Sequence, residues 1–351
     1  MDLNEIRQKI DQLDCQIVQL LKNRMESARI AMTFKETTFD EQREKQILEV
    51  LSQCESALLR SDFIKDVYSL ILKESKNIQE SIGPVIAFQG EHGAYSESAC
   101  MVWDPKLAPM PCHEFADVFS GVEQGVYDYG IVPVENTLGG MVGAVNGQLI
   151  KSDLHIVGAV KMAINHCLLA VPGTDYRAIR RVYSHPQALT QCREYLKRHN
   201  LEPVAHYDTA GAARILAEER PAATAAIASK LSSRFYNLSI IQEQIEDLDT
   251  NQTRFVVISR DANKNHGSKC SIVFATPDKA GALFGVLELF AKKNINLTRI
   301  DSMPDAPGEF AFFLDFEGSI DDPEVAGILE QVEQSCHHYR FLGCYDEKVA
   351  L

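Results

Sequence analysis

No apolar run in this 351-residue chain approaches the roughly 20 residues a membrane helix needs, so a helical membrane span is excluded. Missing too are the basic start and unbroken apolar stretch of a secretory signal. The opening MDLNEIRQKID mixes charged and apolar residues from its first turn. The expectation is a cytoplasmic protein. No Cys-x-x-Cys pair occurs among the nine cysteines, which are odd in number and scattered. That spacing argues against a zinc site or disulfide framework and for reduced, mostly buried thiols. No segment is basic: residues 1–82 carry a net −3, residues 268–351 a net −7 and the stretch between them −4, within a total of −14. A nucleic-acid surface is thereby excluded, and an anionic ligand must be held by a few local cations. Neither a phosphate loop nor a dinucleotide fingerprint is present, so no metal, nucleotide or organic cofactor is implied.

What is present falls into three rhythms, which predict a multidomain chain with boundaries 1–82, 84–262 and 268–351. Residues 3–35 contain neither Gly nor Pro, and their apolar residues recur at helical spacing from Leu3 through Ile17 to Ala31. The spacing predicts one helix of about 50 Å. Nothing inside a small domain covers so long a stripe, so a partner helix from a second chain, hence a homodimer or higher homo-oligomer, is expected. Further helices are predicted at about 40–57 and 62–80, making the first segment all-α. After the break at Ser81-Ile82-Gly83-Pro84, short runs rich in Val and Ile alternate with helical stretches, from VIAF at 85–88 to RFVVIS at 254–259. That pattern predicts an α/β domain with covered sheets. A polar stretch from Asp261 to Lys269 leads to strand (270–276), helix (282–294), strand (297–303), strand (310–317), helix (322–335) and strand (339–345), the ferredoxin-like βαββαβ order.

Charge stands where the first helix should be apolar. At about 100° per residue the stripe centres near Ile17, Arg24 falls about 20° away, Lys35 falls on the centre and Arg7 lies at its edge. Unpaired, each buried cation would cost several kcal/mol. In the second helix Asp40, Arg43 and Glu44 share one face, and in the third the stripe Ile64, Val67, Ile71 runs into Ser75 and Gln79. Spacing alone leaves two readings, a salt-bridged dimer with a polar patch or a pocket for a small dianion. The set Arg7, Arg24, Lys35, Asp40, Arg43, Glu44, Ser75 and Gln79 is similar to that of the all-helical chorismate mutase family. The resemblance implies interlaced dimers and the dicarboxylate chorismate as substrate. Arg24, with Arg7 of the other chain, would clamp the carboxylates, and Lys35 and Gln79 would bond the breaking ether oxygen. Asp40 and Glu44 would hold the ring hydroxyl, with Arg43 and Ser75 completing the pocket. Such a rearrangement requires only a compact substrate shape and preset donors at the growing negative charge.

The middle segment offers four clusters. Gly90–Ser96 sits between a strand and a helix, either as an anion-binding helix start or as an ordinary turn. Val132-Pro133-Val134-Glu135-Asn136-Thr137 ends an apolar strand. Ser184-His185-Pro186-Gln187-Ala188-Leu189-Thr190-Gln191 follows another, and its His185 is more often structural than catalytic in such a place. Asn251-Gln252-Thr253-Arg254-Phe255 opens the run RFVVIS. In this order the clusters resemble prephenate dehydratase over about residues 84–260. The resemblance implies a two-lobed α/β fold like a periplasmic binding protein, with the active site in the cleft and prephenate as substrate. Thr253 would be the catalytic hydroxyl. Asn136, Ser184 and Gln191 would bind substrate with Glu135 in support, and Arg254 would hold the site or a carboxylate. Asp208 stands where the family has Glu, one methylene shorter.

Residues 270–345 resemble an ACT domain, an amino-acid-binding module. The resemblance points to Gly281, Ala282, Leu283 and Asn296, and to Asp301 and Ser302, as effector-binding, with L-phenylalanine the expected effector. The family's Glu-Ser-Arg-Pro reads Asp301-Ser302-Met303-Pro304 here, which removes a cation. The expected function is a two-step enzyme of phenylalanine synthesis under end-product control. Two rivals stand beside it: a chain that keeps only the dehydratase, its helical segment serving mainly as a dimerisation arm, and a non-catalytic solute-binding protein built on the two-lobed fold with a regulatory module.

Overall fold

The computed structural model describes residues 2–35, 40–81, 83–263, 267–276, 279–304 and 310–350. Ile82 of the break signal and residues 264–266 of the polar linker lie outside them. The chain divides into two compact units, Met1–Pro84 and Val85–Leu351.

The first unit is three helices, α1 (Leu3–Met32), α2 (Glu41–Ser52) and α3 (Ser61–Ser81). At its 30 residues α1 spans about 45 Å. It stops short of the expected residue 35: Thr33 and Phe34 form a turn, and the Thr33 hydroxyl donates to the Ile30 carbonyl at 2.7 Å. Asp40 caps α2 by accepting from the Arg43 N–H at 2.9 Å. The second helix also ends early, at Ser52 rather than 57, where the Gln53 N–H turns back to the Val50 and Leu51 carbonyls. Ile64 and Leu72 of α3 are buried within the unit. The stripe of α1 is not: Leu3, Ile6, Ile10, Leu13 and Ile17 remain 41% to 60% exposed.

The second unit begins with β1 (Val85–Gln89), α4 (Tyr95–Trp103), β2 (Ala108–Cys112), α5 (Phe115–Glu123), β3 (Tyr129–Asn136), the two-residue β4 (Gly140–Met141), α6 (Gly143–Lys151) and β5 (His155–Ala163). The chain then leaves this first lobe and builds a second. That lobe contains β6 (Cys167–Ala170), β7 (Arg181–Ser184), α7 (Pro186–Gln191), α8 (Arg193–Arg198), β8 (Glu202–Ala205), α9 (Thr209–Glu219), β9 (Thr224–Ala228), α10 (Lys230–Phe235) and β10 (Ser239–Gln242). It returns to the first lobe as β11 (Gln252–Ser259). The lobes therefore hold separate sheets. The order in the second is β10-β6-β9-β7-β8, and in the first β11 lies between β5 and β3, antiparallel to both. Two crossovers join the lobes, and the backbone bonds them to each other: Ile164 N–H donates to Asn251 O at 2.9 Å and Ile245 N–H to His166 O at 3.1 Å.

The C-terminal module follows as β12 (Lys269–Thr276), α11 (Ala282–Lys292), β13 (Leu297–Pro304), β14 (Phe310–Glu317), α12 (Pro323–Ser335) and β15 (His338–Tyr345). This is the expected βαββαβ order, with an antiparallel sheet β13-β14-β12-β15. One face buries Ile272, Phe274, Leu314 and Phe316 beneath α11 and α12. The other packs Val273, Ala311, Phe313, Leu342 and Tyr345 into the core of the first lobe, against Val145, Leu149, Leu154 and Ile156. A last strand, β16 (Glu347–Ala350), joins the first lobe's sheet alongside β5 in parallel.

Candidate active sites

Strand β11 places Thr253 beside Asn136 at the end of β3, since the two are register partners. Two backbone donors, Leu138 N–H at 3.1 Å and Gly139 N–H at 2.7 Å, hold Asn136 Oδ1 and so fix which way its amide points. Its nitrogen then faces Thr253 Oγ at 2.9 Å, Asn251 Oδ1 at 2.9 Å and the Gln252 carbonyl at 3.1 Å. Both Thr253 and Asn136 are 8% exposed. Because Oγ accepts from Asn136, the threonine O–H remains for another acceptor, and negative charge on Oγ would meet an N–H already in place.

The lobes approach each other around this pair. Gln187 Nε2 of α7 lies 3.5 Å from Asn136 Oδ1. Tyr207 O–H donates to Glu91 at 2.7 Å, and Arg214 Nε lies 3.3 Å from the same carboxylate. The loop Gly90–Ser96 is a docking turn rather than an anion site. Gly93 takes a left-handed φ of 89°, its N–H donates to Glu97 Oε2 at 2.6 Å, and its carbonyl accepts from Ser229 at 2.5 Å and Ser232 at 2.9 Å. The first of those bonds uses the Gly93 N–H that an anion would need. His185 is structural: it caps α7, its Nδ1 accepting from Gln187 N–H at 3.2 Å.

Three residues expected to bind substrate are engaged elsewhere. Ser184 is fully buried and donates its hydroxyl to the Ile227 carbonyl at 2.7 Å, because it lies inside the paired strands β7 and β9. Asp208 caps α9, accepting from Gly211 N–H at 2.9 Å. Burial raises its pKa, against the lowering effect of the Gly211 and Thr209 N–H groups. Arg254 faces away from Thr253, as alternation along a strand requires. Its guanidinium binds Asp315 and Glu347 and donates to Tyr345 Oη at 2.9 Å, all from the C-terminal module and the strand after it. Burial alone would lower its pKa, but the Tyr345 oxygen, Asp315 and Glu347 together raise it well above the ordinary value. It is an internal strut, not a cleft cation. Gln191 is half-buried, with Oε1 2.8 Å from His166 Nε2. His166 in turn lies 2.8 Å from Tyr95 Oη through Nδ1. Glu135 is half-buried in β3 next to Asn136. Sequence reasoning missed the roles of Tyr95, His166 and Asn251; Tyr95 and Asn251 stood within motifs it noticed, Gly90–Ser96 and Asn251–Phe255, and His166 in none.

In the helical unit, Arg24 donates to the buried Ser75 hydroxyl, joining α1 to α3. Among the described residues no carboxylate pairs with Arg24. Glu44 pairs with Lys76 at 3.0 Å, and Gln79 Nε2 donates to the Ala28 carbonyl at 2.7 Å. Arg7, Lys35, Asp40 and Arg43 are exposed in the single chain. Lys35 lies beyond the end of α1 rather than on its stripe, because the helix stops at Met32.

In the C-terminal module Gly281 precedes α11 with a left-handed φ of 86°, a conformation glycine adopts freely. Ala282 lines a groove of about 460 Å³ between α11 and α12 that also touches Gln331 and Gln334. Leu283 packs against the module core, and Asn296 accepts from Glu317 N–H at 2.9 Å through its backbone. Asp301 does not face this groove. Its carboxylate accepts from Arg299 Nε at 2.6 Å, and Arg299 reaches Asn146 of the first lobe at 3.0 Å. Ser302, next along β13, is exposed.

Two lobes joined by paired crossovers, a threonine hydroxyl aligned where they meet, and a βαββαβ module packed behind define a cleft enzyme with an appended regulatory fold. Sequence comparison makes this specific. The profile for prephenate dehydratase matches residues 86–263, that for chorismate mutase type II residues 6–80, and that for the ACT domain residues 271–334. The chloroplastic arogenate dehydratase/prephenate dehydratase 2 of Arabidopsis thaliana is 40% identical over 274 residues, covering 74% of this chain and 72% of that protein. A prephenate dehydratase from Arthrobacter aurescens, solved in complex with L-Phe, is 30% identical with a TM-score of 0.67, covering 75% of this chain and 89% of that one. A structure described as GqqA, a novel type of quorum quenching acylase, is 32% identical with a TM-score of 0.69, covering 74% and 97%. The chain belongs to the prephenate dehydratase family, with a chorismate mutase domain before the dehydratase and an ACT domain after it. It is an enzyme of both kinds, and the two domains in succession support a route from chorismate through prephenate to phenylpyruvate. No helix among the described residues is long and apolar enough to cross a membrane.

Proposed function

We propose that this chain rearranges chorismate to prephenate in its helical domain, then decarboxylates and dehydrates prephenate in the cleft, with L-phenylalanine as feedback inhibitor through the ACT domain. The observation that carries the dehydratase chemistry is the Asn136–Thr253 hydrogen bond of 2.9 Å. In the step itself the ring–carboxylate bond breaks, carbon dioxide leaves, and that electron pair enters the ring. The bond to the ring hydroxyl breaks at the opposite carbon, and the departing oxygen takes the Thr253 proton and leaves as water. Thr253 recovers a proton from solvent. Asn136 steadies the oxygen charge meanwhile, and Gln191 and Glu135 would bind and support the substrate. Prephenate, rather than the arogenate of the plant relatives' names, is the substrate because the mutase on this chain makes it.

For the mutase, Arg24 is a half-buried cation without a carboxylate partner among the described residues, suited to a substrate carboxylate. Gln79 has a second amide hydrogen beyond the one given to Ala28, and Lys35 would reach the ether oxygen once a partner chain covers it. Arg7 would come from that partner. For the effector site, the turn at Gly281 and the groove along Ala282 support amino-acid binding, as does the L-Phe complex of the Arthrobacter aurescens dehydratase. All nine cysteines are free, which supports a reducing compartment, the cytoplasm in our reading.

Chorismate fed to the full-length chain, with prephenate and phenylpyruvate followed together, tests this. Lys35→Ala should abolish prephenate formation and leave dehydration of added prephenate intact. Thr253→Ala should do the reverse, with prephenate accumulating. Phenylalanine added to the same assay should slow phenylpyruvate formation. Normal dehydration by Thr253→Ala, or normal rearrangement by Lys35→Ala, would overturn the corresponding assignment.

A further inference from the structure

Asn251 precedes β11 and is 1% exposed. Its oxygen accepts from Asn136 Nδ2 at 2.9 Å. That bond leaves no choice in how the Asn251 amide is turned: two backbone N–H groups fix the Asn136 oxygen, so the Asn136 nitrogen faces Asn251, and only the Asn251 oxygen can answer it. Its own nitrogen is then a buried donor with no partner among the described residues. Proteins rarely leave such a group unpaired, because burial removes water and gives nothing back. The cost is tolerated where a ligand supplies the missing acceptor.

The place of this donor says which acceptor. One nitrogen, Asn136 Nδ2, touches both Asn251 Oδ1 and Thr253 Oγ, so the Asn251 amide serves the same end of the substrate as Thr253. We propose that Asn251 is a catalytic residue of the dehydration site, its side-chain N–H donating to the ring hydroxyl oxygen that leaves. The assignment rests on Thr253 as the proton donor. As the carbon–oxygen bond breaks, its electron pair goes to that oxygen. Thr253 delivers the proton, and Asn251 stabilises the charge present before the proton arrives. An oxygen held by both donors also has its lone pairs turned towards Thr253.

Two substitutions in the full-length chain separate donor from acceptor. Asn251→Asp keeps an oxygen for Asn136 and loses the N–H; Asn251→Ala loses both. We expect kcat for prephenate to fall about 100- to 1000-fold in both, as for loss of one preset donor to a developing oxyanion. KM should stay within about threefold, since the bond strengthens as the oxygen charges. Mutase turnover by the same polypeptides should be unchanged, which reports folding. Wild-type kcat in Asn251→Asp would show that only the oxygen matters, and wild-type kcat in Asn251→Ala that neither group does. A rise in KM alone would mean ground-state binding or charge repulsion. Each of these overturns the proposal. Should Asn251→Ala fail to fold, Asn251→Asp decides alone. Thr253→Ala, run beside them, distinguishes the failures. If it still dehydrates, the underlying reading is lost; if it is dead while Asn251→Asp is fully active, only the role of Asn251 is lost.

Discussion

Thr253 and Arg254 are adjacent in β11 and serve opposite sides of it. The threonine meets Asn136, while the arginine reaches back to Asp315, Glu347 and Tyr345. Ser271 adds bonds of 2.5 Å to both Asp315 and Tyr345, so the buried cluster is satisfied throughout. Removing only the cation from such a cluster strands its carboxylates. Arg254→Met should therefore cost about 3–5 kcal/mol of stability, read by denaturant unfolding. Adding Asp315→Leu and Glu347→Gln should restore most of it, because the stranded charges go as well. In that triple variant KM for prephenate should lie near the wild-type value. A stable triple variant with KM still raised tenfold would return Arg254 to the substrate. The strut also has a consequence for control: the residue beside Thr253 is held entirely by the C-terminal module and the strand that follows it.

At the scale of elements, the crossovers between lobes are the place where motion would concentrate, and His166 sits in one of them. It links Tyr95 of α4 in the first lobe to Gln191 of α7 in the second, at 2.8 Å on each side. Burial lowers its pKa below the ordinary 6.5, with Gln191 and Glu246 opposing that shift. The folded state thus favours neutral imidazole. Its contribution to stability is complete above about pH 6.5 and is lost as pH falls through the depressed folded value, where the unfolded chain binds the extra proton. Melting temperature followed from pH 8 to pH 5 should fall less steeply for His166→Gln than for wild type below pH 6.5. Parallel curves would show that His166 carries no such linkage. This pairing was not legible in the sequence, since Tyr95, His166 and Gln191 lie in separate segments and only the fold brings them together. The repeating elements were legible. The Val- and Ile-rich strands β1, β3, β5, β7, β9 and β11 fall where their apolar runs stand, and the C-terminal order follows from alternating periods. Four edge strands escaped. β2 reads APMPC and β8 EPVA, and proline is tolerated at an edge but erases the strand signal. β10 and β16 have four residues each, too short to show a period. Of the candidate site, Thr253 and Asn136 stand out through the family resemblance of their motifs, since Thr-Arg-Phe by itself carries almost no signal: a threonine in a strand is more often there for β-propensity. The partners of Ser184 and Arg254 lie far away in sequence, whereas Asp208 is engaged locally, by the Gly211 N–H three residues on.

At the scale of the whole molecule, the unburied stripe on α1 is the largest unanswered feature of the helical unit. Leu3, Ile6, Ile10, Leu13 and Ile17 lie along one line of a helix 30 residues long, each at least 41% exposed. Full burial of one such side chain contributes about 1.5–3 kcal/mol, so five of them against a second copy are ample for association. The same pairing would cover Lys35 and bring Arg7 of the partner towards Arg24, which among the described residues of the single chain has the Ser75 hydroxyl and no carboxylate to answer its charge. Oligomerisation and mutase activity should then fail together. Ile10→Asp combined with Leu13→Asp places charges in the middle of the stripe, where pairing would bury them at a cost of several kcal/mol each. Sedimentation should show a smaller species than wild type, and chorismate turnover per chain should drop by at least 100-fold. Dehydration of added prephenate should persist, since Thr253, Asn136 and Asn251 all lie in the Val85–Leu351 unit. Mutase turnover undiminished in a species shown to be smaller would mean that one chain completes its own pocket, and the partner's Arg7 would lose its role. Unchanged mass would mean that the stripe is covered in some other way.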